Sequence, residues 1–288
     1  MKRRNSRVNT SSTKDSSNNK LKLVDEAVES KDNDDNEHCN SECCDLEYGH
    51  KHENKISRIE FDNALKSKIL FADSASKLVQ IQQNNVQLVV FRQKKRADFR
   101  RILSKQSLPI SSLPTFEGLV TPYDVNERLT SFLCPRYPLR SKKSKALNDE
   151  QMEQFICEIS ELVQIFSKIS DSEFVFVKLH VILDDGCAFW HQDSVTYRLV
   201  ETYRGPCSEY VLPQYSMKTL QHRKEDSPHA ISLMHGDVAL FKGRGETTVD
   251  DEFLNQEGIV HRSPRVKEDS GISRLVLILD IPQEGWHY

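Results

Sequence analysis

Residues 174–183 read Phe-Val-Phe-Val-Lys-Leu-His-Val-Ile-Leu, and this stretch decides the fold. Successive side chains of a β-strand point to opposite faces of a sheet, so a period of two is typical of a strand. Every second residue from Val175 to Leu183 is apolar, whereas Lys178 and His180 lie on the alternate positions. The stretch therefore predicts a strand with one wholly apolar, buried face.

The segment before this strand has a helical period instead. Asn148 followed by Gln151 is a capping-box pattern, which is typical of a helix start. The apolar stripe that follows consists of Phe155, Ile159, Leu162 and Phe166. These positions recur every three or four residues, so we predict a helix that packs on the sheet and ends near Asp171.

The segments before this helix and after this strand differ in their predicted secondary structure. Residues 56–83 have helical spacing, 86–91 read as a strand and 94–103 as a short basic helix. The later segments 189–203, 230–234, 238–242, 258–262 and 273–280 all read as strands. We therefore expect one α+β domain over residues 56–288, with a helical part at 56–170 and a β-sandwich or barrel at 171–288.

Residues 1–55 are expected to form a disordered polar tail. They are rich in Ser, Asn, Asp, Glu and Lys and contain almost no aromatic residues, so they cannot bury enough apolar surface to fold. The tail also holds a group of potential zinc ligands: His38, Cys39, Cys43, Cys44, His50 and His52. Their spacing matches no paired Cys-x2-Cys pattern, so this region does not predict a zinc site.

Charge and composition exclude several classes of protein. A net charge of −3 provides no general attraction to nucleic acid or anionic membranes. Basic stretches at 94–101 and 140–145 are as typical of a solvated surface as of a nucleic-acid contact. No apolar run is long enough to span a membrane, and no apolar stretch follows Met1-Lys2-Arg3-Arg4. We expect an intracellular, cytoplasmic or nuclear protein, although a basic, Ser-rich start also fits a mitochondrial transit peptide.

A metal site is indicated where a strand begins with Trp190-His191-Gln192-Asp193. Residues i and i+2 of a strand share a face, so His191 and Asp193 can reach one cation while Gln192 points away. The third ligand we expect is His261, which follows the apolar pair Ile259-Val260 on a later strand. These three residues are the predicted metal ligands and catalytic centre.

Two imidazoles and one carboxylate on one side of a divalent ion leave several coordination positions open. This is the ligand set of the non-haem Fe(II) oxygenases, although Zn and Mn accept the same ligands. The open positions would admit a small-molecule cosubstrate and dioxygen. An H-x-D triplet also arises by chance, and a histidine at a strand start can simply hydrogen-bond a neighbour.

The motifs around these residues resemble a known family. The sequences FWHQDSVTYRLVETYRGPCSEY, GDVALFKG, VHRSP and RLVLILD are similar, in this order, to those of an uncharacterised family, domain of unknown function 1826. The resemblance extends from about residue 76 to the C-terminus and marks the three predicted ligands together with their surroundings. It departs after Pro206, where Cys207-Ser208-Glu209-Tyr210 replaces the usual Gly-Thr-Glu-Trp. The resemblance supports a site without naming its reaction.

The order of the motifs is also similar to that of the 2-oxoglutarate-dependent Fe(II) oxygenases. That resemblance implies a double-stranded β-helix, also called a jelly-roll or cupin-like barrel. It further implies 2-oxoglutarate as cosubstrate and a basic residue that binds its far carboxylate. Arg274 is the first candidate for this residue, with Arg198 and Lys242 as alternatives, and an ordinary ion pair is the competing interpretation for each.

Three residues near the turn at Gly205-Pro206 are candidates for substrate binding: Tyr203, Arg204 and Glu209. A turn that merely closes a hairpin explains them equally well. The predicted function is an Fe(II)- and 2-oxoglutarate-dependent dioxygenase of unassigned substrate and oligomeric state. Two alternatives remain open: a cupin-like zinc- or iron-binding protein without oxygenase activity, and an interaction scaffold with a vestigial pocket.

Overall fold

The computed structural model describes residues 68–93, 97–134, 146–184, 187–245, 258–266 and 270–283. The predicted tail, with its cysteines and histidines, lies outside the described residues, as do the start of the helix predicted at 56–83 and the basic loop at 140–145. None of the helices in the described ranges combines the length and the apolar character that a membrane span needs.

The described residues form ten strands, four α-helices and three short 3-10 helices. The strands are β1 (Ile69–Ala72), β2 (Leu88–Arg92), β3 (Phe116–Val120), β4 (Val175–Ile182), β5 (Tyr197–Arg204), β6 (Glu209–Tyr210), β7 (Ile231–Ser232), β8 (Asp237–Lys242), β9 (His261–Arg262) and β10 (Arg274–Asp280). The α-helices are α1 (Asp98–Leu103), α2 (Val125–Leu133), α3 (Asp149–Ser170) and α4 (Ser216–Gln221). The 3-10 helices cover Ala75–Gln82, Ile110–Ser112 and Pro213–Tyr215.

The strands belong to two sheets. The large sheet has seven strands in the order β1-β2-β8-β5-β10-β4-β3, and all of its pairs are antiparallel except β1 with β2. The small sheet has the order β7-β6-β9. An isolated antiparallel bridge joins His191 to His261, so the backbone at residue 191 extends the small sheet beyond β9.

Helix α3 covers one face of the large sheet, as its apolar stripe predicts. The capping box is present: the Gln151 amide donates to Asn148 Oδ1, and the Asn148 amide donates to Gln151 Oε1. The residues of the stripe are buried in one cluster with Leu199 of β5 and Leu277 of β10. Helix and strand periods were therefore both predicted correctly here.

The small sheet lies against the other face of the large sheet. The apolar cluster between the two sheets includes Val200, Ala239 and Val276 from the large sheet and Tyr210 from the small one. Alternation along each strand explains this division, because Leu199 and Leu277 face the helices whereas Val200 and Val276 face the small sheet. The site described below lies on this inner face.

The part predicted as mainly helical, residues 56–170, contributes three strands to the large sheet. Strand β2 matches the strand predicted at 86–91, whereas β1 and β3 were not predicted. The predicted helix at 56–83 contains strand β1, which pairs in parallel with β2, followed by a 3-10 helix that buries Leu78 and Ile81. The three-residue spacing of Leu78 and Ile81 fits a 3-10 helix as well as an α-helix.

Candidate metal centre

His191 and His261 lie side by side at the edge of the small sheet. Each backbone amide donates to the other's carbonyl oxygen at 3.0 Å, which is the hydrogen-bonded pair of an antiparallel ladder. Their ring centroids are 4.6 Å apart. The backbone thus places two imidazoles together although the residues are far apart in sequence.

Both rings are oriented by backbone carbonyls. His191 Nδ1 lies 2.8 Å from the Phe189 carbonyl oxygen, and His261 Nδ1 lies 3.2 Å from that of Ile259. Because a carbonyl only accepts, each Nδ1 must carry the proton and donate it. In a neutral ring, Nε2 is then left with its lone pair, as a metal ligand requires.

The two Nε2 atoms face the carboxylate of Asp193. His191 Nε2 lies 3.6 Å from Oδ1, and His261 Nε2 lies 3.3 Å from Oδ2. Despite that distance, Oδ2 accepts no hydrogen bond from any residue that the structure describes. An arrangement of two lone-pair nitrogens around a buried carboxylate is repulsive unless a cation lies between them.

Asp193 is held by the segment that follows β8. Its carbonyl accepts from the Arg244 amide at 2.8 Å. This approach requires glycine at position 243, because a Cβ there would collide with the Val195 carbonyl oxygen. Burial alone would raise the pKa of Asp193, but the pKa is held well below its usual range, and the Arg198 guanidinium that donates to Oδ1 is a charge that favours the ionised form. The carboxylate is therefore ionised.

The three side chains fit one small divalent cation. One ligand atom from each lies within 4.8 Å of the others. Ligand bonds of about 2.0–2.2 Å at right angles would place neighbouring ligand atoms roughly 3 Å apart. The nitrogen–oxygen separations of 3.6 Å for His191 and 3.3 Å for His261 are close to that value. In the part of the chain that the structure describes, no other group of His, Cys, Asp or Glu meets the same criterion.

Arg198 contacts the site in a way that the sequence did not predict. Its Nη1 donates to Asp193 Oδ1, while its Nε and Nη2 donate to the two oxygens of Asp280 at 2.6 and 3.1 Å. With two carboxylates already bound, Arg198 is poorly suited to hold a third. Asp280 was missed by the sequence analysis, although a carboxylate that ends the buried run Leu275–Leu279 was a usable signal.

Arg274 is fully buried at the start of β10, with a side chain that is only partly paired. Its Nε donates to the Pro206 carbonyl at 2.8 Å, and its Nη2 is 3.5 Å from Ser208 Oγ. Its Nη1 has no hydrogen-bond partner among the described residues. Burial lowers the pKa of Arg274 to about 10, so the guanidinium remains charged at neutral pH.

The small sheet connects Arg274 to the histidines. Ser208 and Tyr210 are two residues apart on one extended segment, a step of roughly 7 Å, and Tyr210 pairs directly with His261. Tyr210 is buried, and the sequence analysis did not select it. Its position two residues after Ser208 on an extended segment indicates that the two side chains share a face. Burial raises the pKa of Tyr210 to about 12, so its hydroxyl keeps its proton.

Lys242 is not brought to the triad. Its Nζ donates to the Gln83 carbonyl oxygen at 2.9 Å, at the end of a 3-10 helix on the helical side of the large sheet. The neighbouring Phe241, by contrast, places its ring 4.5 Å from that of His261. Strand alternation thus separates these two residues of β8.

The three residues predicted to line a substrate mouth are engaged elsewhere. Tyr203 is buried against the helices, where its hydroxyl contacts Glu158 and Glu201. Arg204 donates to the carbonyls of Gln106 and Leu108, and Glu209 accepts from Arg262 at 2.7 Å. These contacts hold the turn and its neighbours together and do not bring the three side chains to the triad.

Fold and site together define a mixed α/β protein with a sheet-rich core and a candidate centre for one divalent cation. The chain belongs to the family described as protein of unknown function (DUF1826), whose model matches residues 72–280. A search among curated proteins finds no match.

Solved structures with similar chains are distant. A full-length Neurospora crassa protein, solved in complex with alpha-KG and thymine, is 10% identical, with a TM-score of 0.31, over 76% of this chain and 86% of that chain. The Kdo hydroxylase KdoO, a non-heme Fe(II) alphaketoglutarate-dependent dioxygenase in complex with succinate and Fe(III), is also 10% identical, with a TM-score of 0.33, over 75% and 89%. Similarity at this level does not establish a common fold or activity.

Proposed function

We propose that this protein is a non-haem Fe(II) oxygenase that uses 2-oxoglutarate. The observation that carries the proposal is the convergence of His191, Asp193 and His261, whose ligand atoms lie within 4.8 Å of one another. Each histidine Nδ1 is hydrogen-bonded to a carbonyl, which leaves Nε2 for a metal, and one carboxylate oxygen has no hydrogen-bond partner among the described residues. Two imidazoles and one carboxylate on one side of the metal are the ligand set associated with such oxygenases.

The order of the strands supports a double-stranded β-helix around this site. Following the chain from β4, the backbone alternates between the large sheet and the small one: β4, residue 191, β5, then β6 and β7, then β8, β9 and β10. The two walls would then be β8-β5-β10-β4 and β7-β6-β9 with residue 191. Two four-stranded walls with an apolar interior are typical of a jelly roll.

The buried Arg274 supports 2-oxoglutarate as the cosubstrate. A guanidinium with an unpaired Nη1 in an enclosed place is costly unless an anion binds there. Among the described residues no carboxylate forms an ion pair with it, and its fork geometry suits a carboxylate ligand. One end of a dicarboxylate would bind Arg274.

The residues of the chain would divide the work as follows. His191, Asp193 and His261 would hold Fe(II), which supplies dioxygen activation coupled to oxidative decarboxylation of the cosubstrate. Arg274 would bind the far carboxylate and orient the cosubstrate. Apolar residues between the sheets, such as Phe241 beside the His261 ring, would keep water from the reacting groups.

The experiment is an anaerobic titration of the purified full chain with Fe(II) and then 2-oxoglutarate. We expect a weak visible charge-transfer band that is absent in His191→Ala and retained in His180→Ala. His180 is a suitable control because it is a partly exposed histidine of β4 that pairs with Glu117 of the edge strand β3. On admission of oxygen, succinate should form. Tightly held zinc with no band would instead favour the metal-binding alternative.

A further inference from the structure

Arg198 bridges two carboxylates, those of Asp193 and Asp280. The Arg198–Asp280 pair is called the bracket below. The two residues lie directly opposite each other on β5 and β10, and the guanidinium donates to both oxygens of Asp280. The remaining nitrogen, Nη1, donates to Asp193 Oδ1. Asp280 is fully buried and Asp193 nearly so. The position of the guanidinium is therefore fixed by two strands of the large sheet.

We propose that Arg198, oriented by Asp280, is a positioning residue that limits Asp193 to one metal-binding oxygen. This inference rests on the proposed metal site. Oδ1 accepts the hydrogen bond from Nη1 and lies 3.6 Å from His191 Nε2, whereas Oδ2 lies 3.3 Å from His261 Nε2 and has no hydrogen-bond partner among the described residues. Binding of Oδ1 to the metal as a second ligand atom would therefore compete with its hydrogen bond to Arg198.

The bracket would determine how many coordination positions on the metal stay open. Three single-atom ligands leave about three positions of a six-coordinate ion for cosubstrate and dioxygen. A two-oxygen Asp193 would occupy one of those positions. A partner that orients a ligating carboxylate typically changes metal affinity by about 10–100-fold when it is removed. Arg198 therefore bears on both the affinity and the number of open positions.

The chain offers a matched control for this bracket. Arg92 of β2 and Asp237 of β8 are also a directly opposed pair in the large sheet, and Arg92 donates to both oxygens of Asp237 at 2.8 and 3.0 Å. Asp237 additionally accepts from the Met234 amide, and none of the hydrogen bonds or ion pairs described for Arg92 and Asp237 involves the triad. Arg92→Lys thus repeats the same chemical change on the same sheet without touching the site.

The test uses Co(II) as the probe with the full chain, because binding can then be measured without turnover. The variants are Arg198→Lys, which keeps the charge but loses the fork, and Asp280→Asn, which is isosteric and keeps one acceptor for Arg198. We expect both to bind Co(II) about 10–100-fold more weakly than the unsubstituted chain. Crystals of the Co(II)-loaded Arg198→Lys protein should show both Asp193 oxygens on the metal, whereas the unsubstituted protein shows one. Arg92→Lys should change neither property.

Unchanged affinity and one-oxygen coordination in both variants would overturn the positioning role while leaving the metal site intact. Equal weakening by Arg92→Lys would show that any lost ion pair of the sheet has the same effect, and would overturn it as well. If the unsubstituted chain binds no Co(II), the proposed function itself fails. Circular dichroism of each variant separates weaker binding from unfolding, and Asp280→Asn decides the matter if Arg198→Lys does not fold.

Discussion

Replacing Glu201 by glutamine should remove most of the pH dependence of this protein's stability between pH 5 and 8. Glu201 lies on the helical side of β5, with a side chain that is completely buried. It forms an ion pair with Arg100, and its Oε2 is 2.9 Å from the Tyr203 hydroxyl. The same hydroxyl lies 3.0 Å from Glu158 Oε1. One phenol proton cannot satisfy two carboxylates, so this cluster favours an additional proton.

The magnitude follows from the pKa. Burial, and then the negative charge of Glu158, raise the pKa of Glu201 from 4.5 to about 7, although Arg100 opposes the change. The native state then binds a proton more tightly than the unfolded chain does. Stability is fully present below about pH 4.5 and falls as the pH rises towards 7. At about 1.4 kcal/mol for each tenfold change in proton affinity, the loss is on the order of 3 kcal/mol.

The assay is urea denaturation at intervals from pH 5 to 8. Unsubstituted protein should lose on the order of 3 kcal/mol of unfolding free energy over this range, and Glu201→Gln should lose little, so the variant is the more stable protein at pH 8. Glu153→Gln is the control, because Glu153 is exposed on the same helix as Glu158. An unchanged pH slope in Glu201→Gln, or stability that rises from pH 5 to 8, would refute the reasoning.

Three further predictions concern the cosubstrate, the site loop and the long helix. Arg274→Met should abolish saturable 2-oxoglutarate binding in an anaerobic titration while Co(II) binding persists, because the hydrogen bonds of Arg274 are to Pro206 and Ser208 and not to the triad. Loss of both would contradict this. Gly243→Ala should destabilise the protein and prevent metal binding, because the added methyl collides with the Val195 carbonyl, whereas Gly118→Ala meets only a phenylalanine ring at 3.3 Å. Thermal unfolding of both variants compares them. Asn148→Ala should lower the unfolding free energy by about 1 kcal/mol, because it removes an N-cap; an unchanged midpoint in denaturant would count against the cap.

Local patterns predicted those parts of the fold that depend on local interactions. Helix α3 and strand β4 followed from period and capping because each buries one continuous face. Strand β1 was missed because its four residues are stabilised by parallel pairing with β2, and nothing in the segment itself distinguishes it from a helix. The periodicity of a segment does not reveal which distant segment it pairs with.

The site shows the same limit. The spacing of His191 and Asp193 predicted that they share a face, and the structure does bring them together with His261. Which face each strand residue takes depends on register, which is why Tyr203 lies among the helices rather than near the triad. The Arg198–Asp280 pair depends on two strands that are neighbours only in the folded sheet. No local pattern could have joined them.

The measurement that tests the central claim most directly is the stoichiometry of divalent metal binding. Anaerobic calorimetric titration of the full chain with Fe(II) should give one ion per chain. Alanine at His191, Asp193 or His261 should each weaken binding by at least about 100-fold, and His180→Ala should leave it unchanged. One ion bound equally well by all three triad variants, or no binding to the unsubstituted chain, would contradict the assignment of these residues as the metal centre.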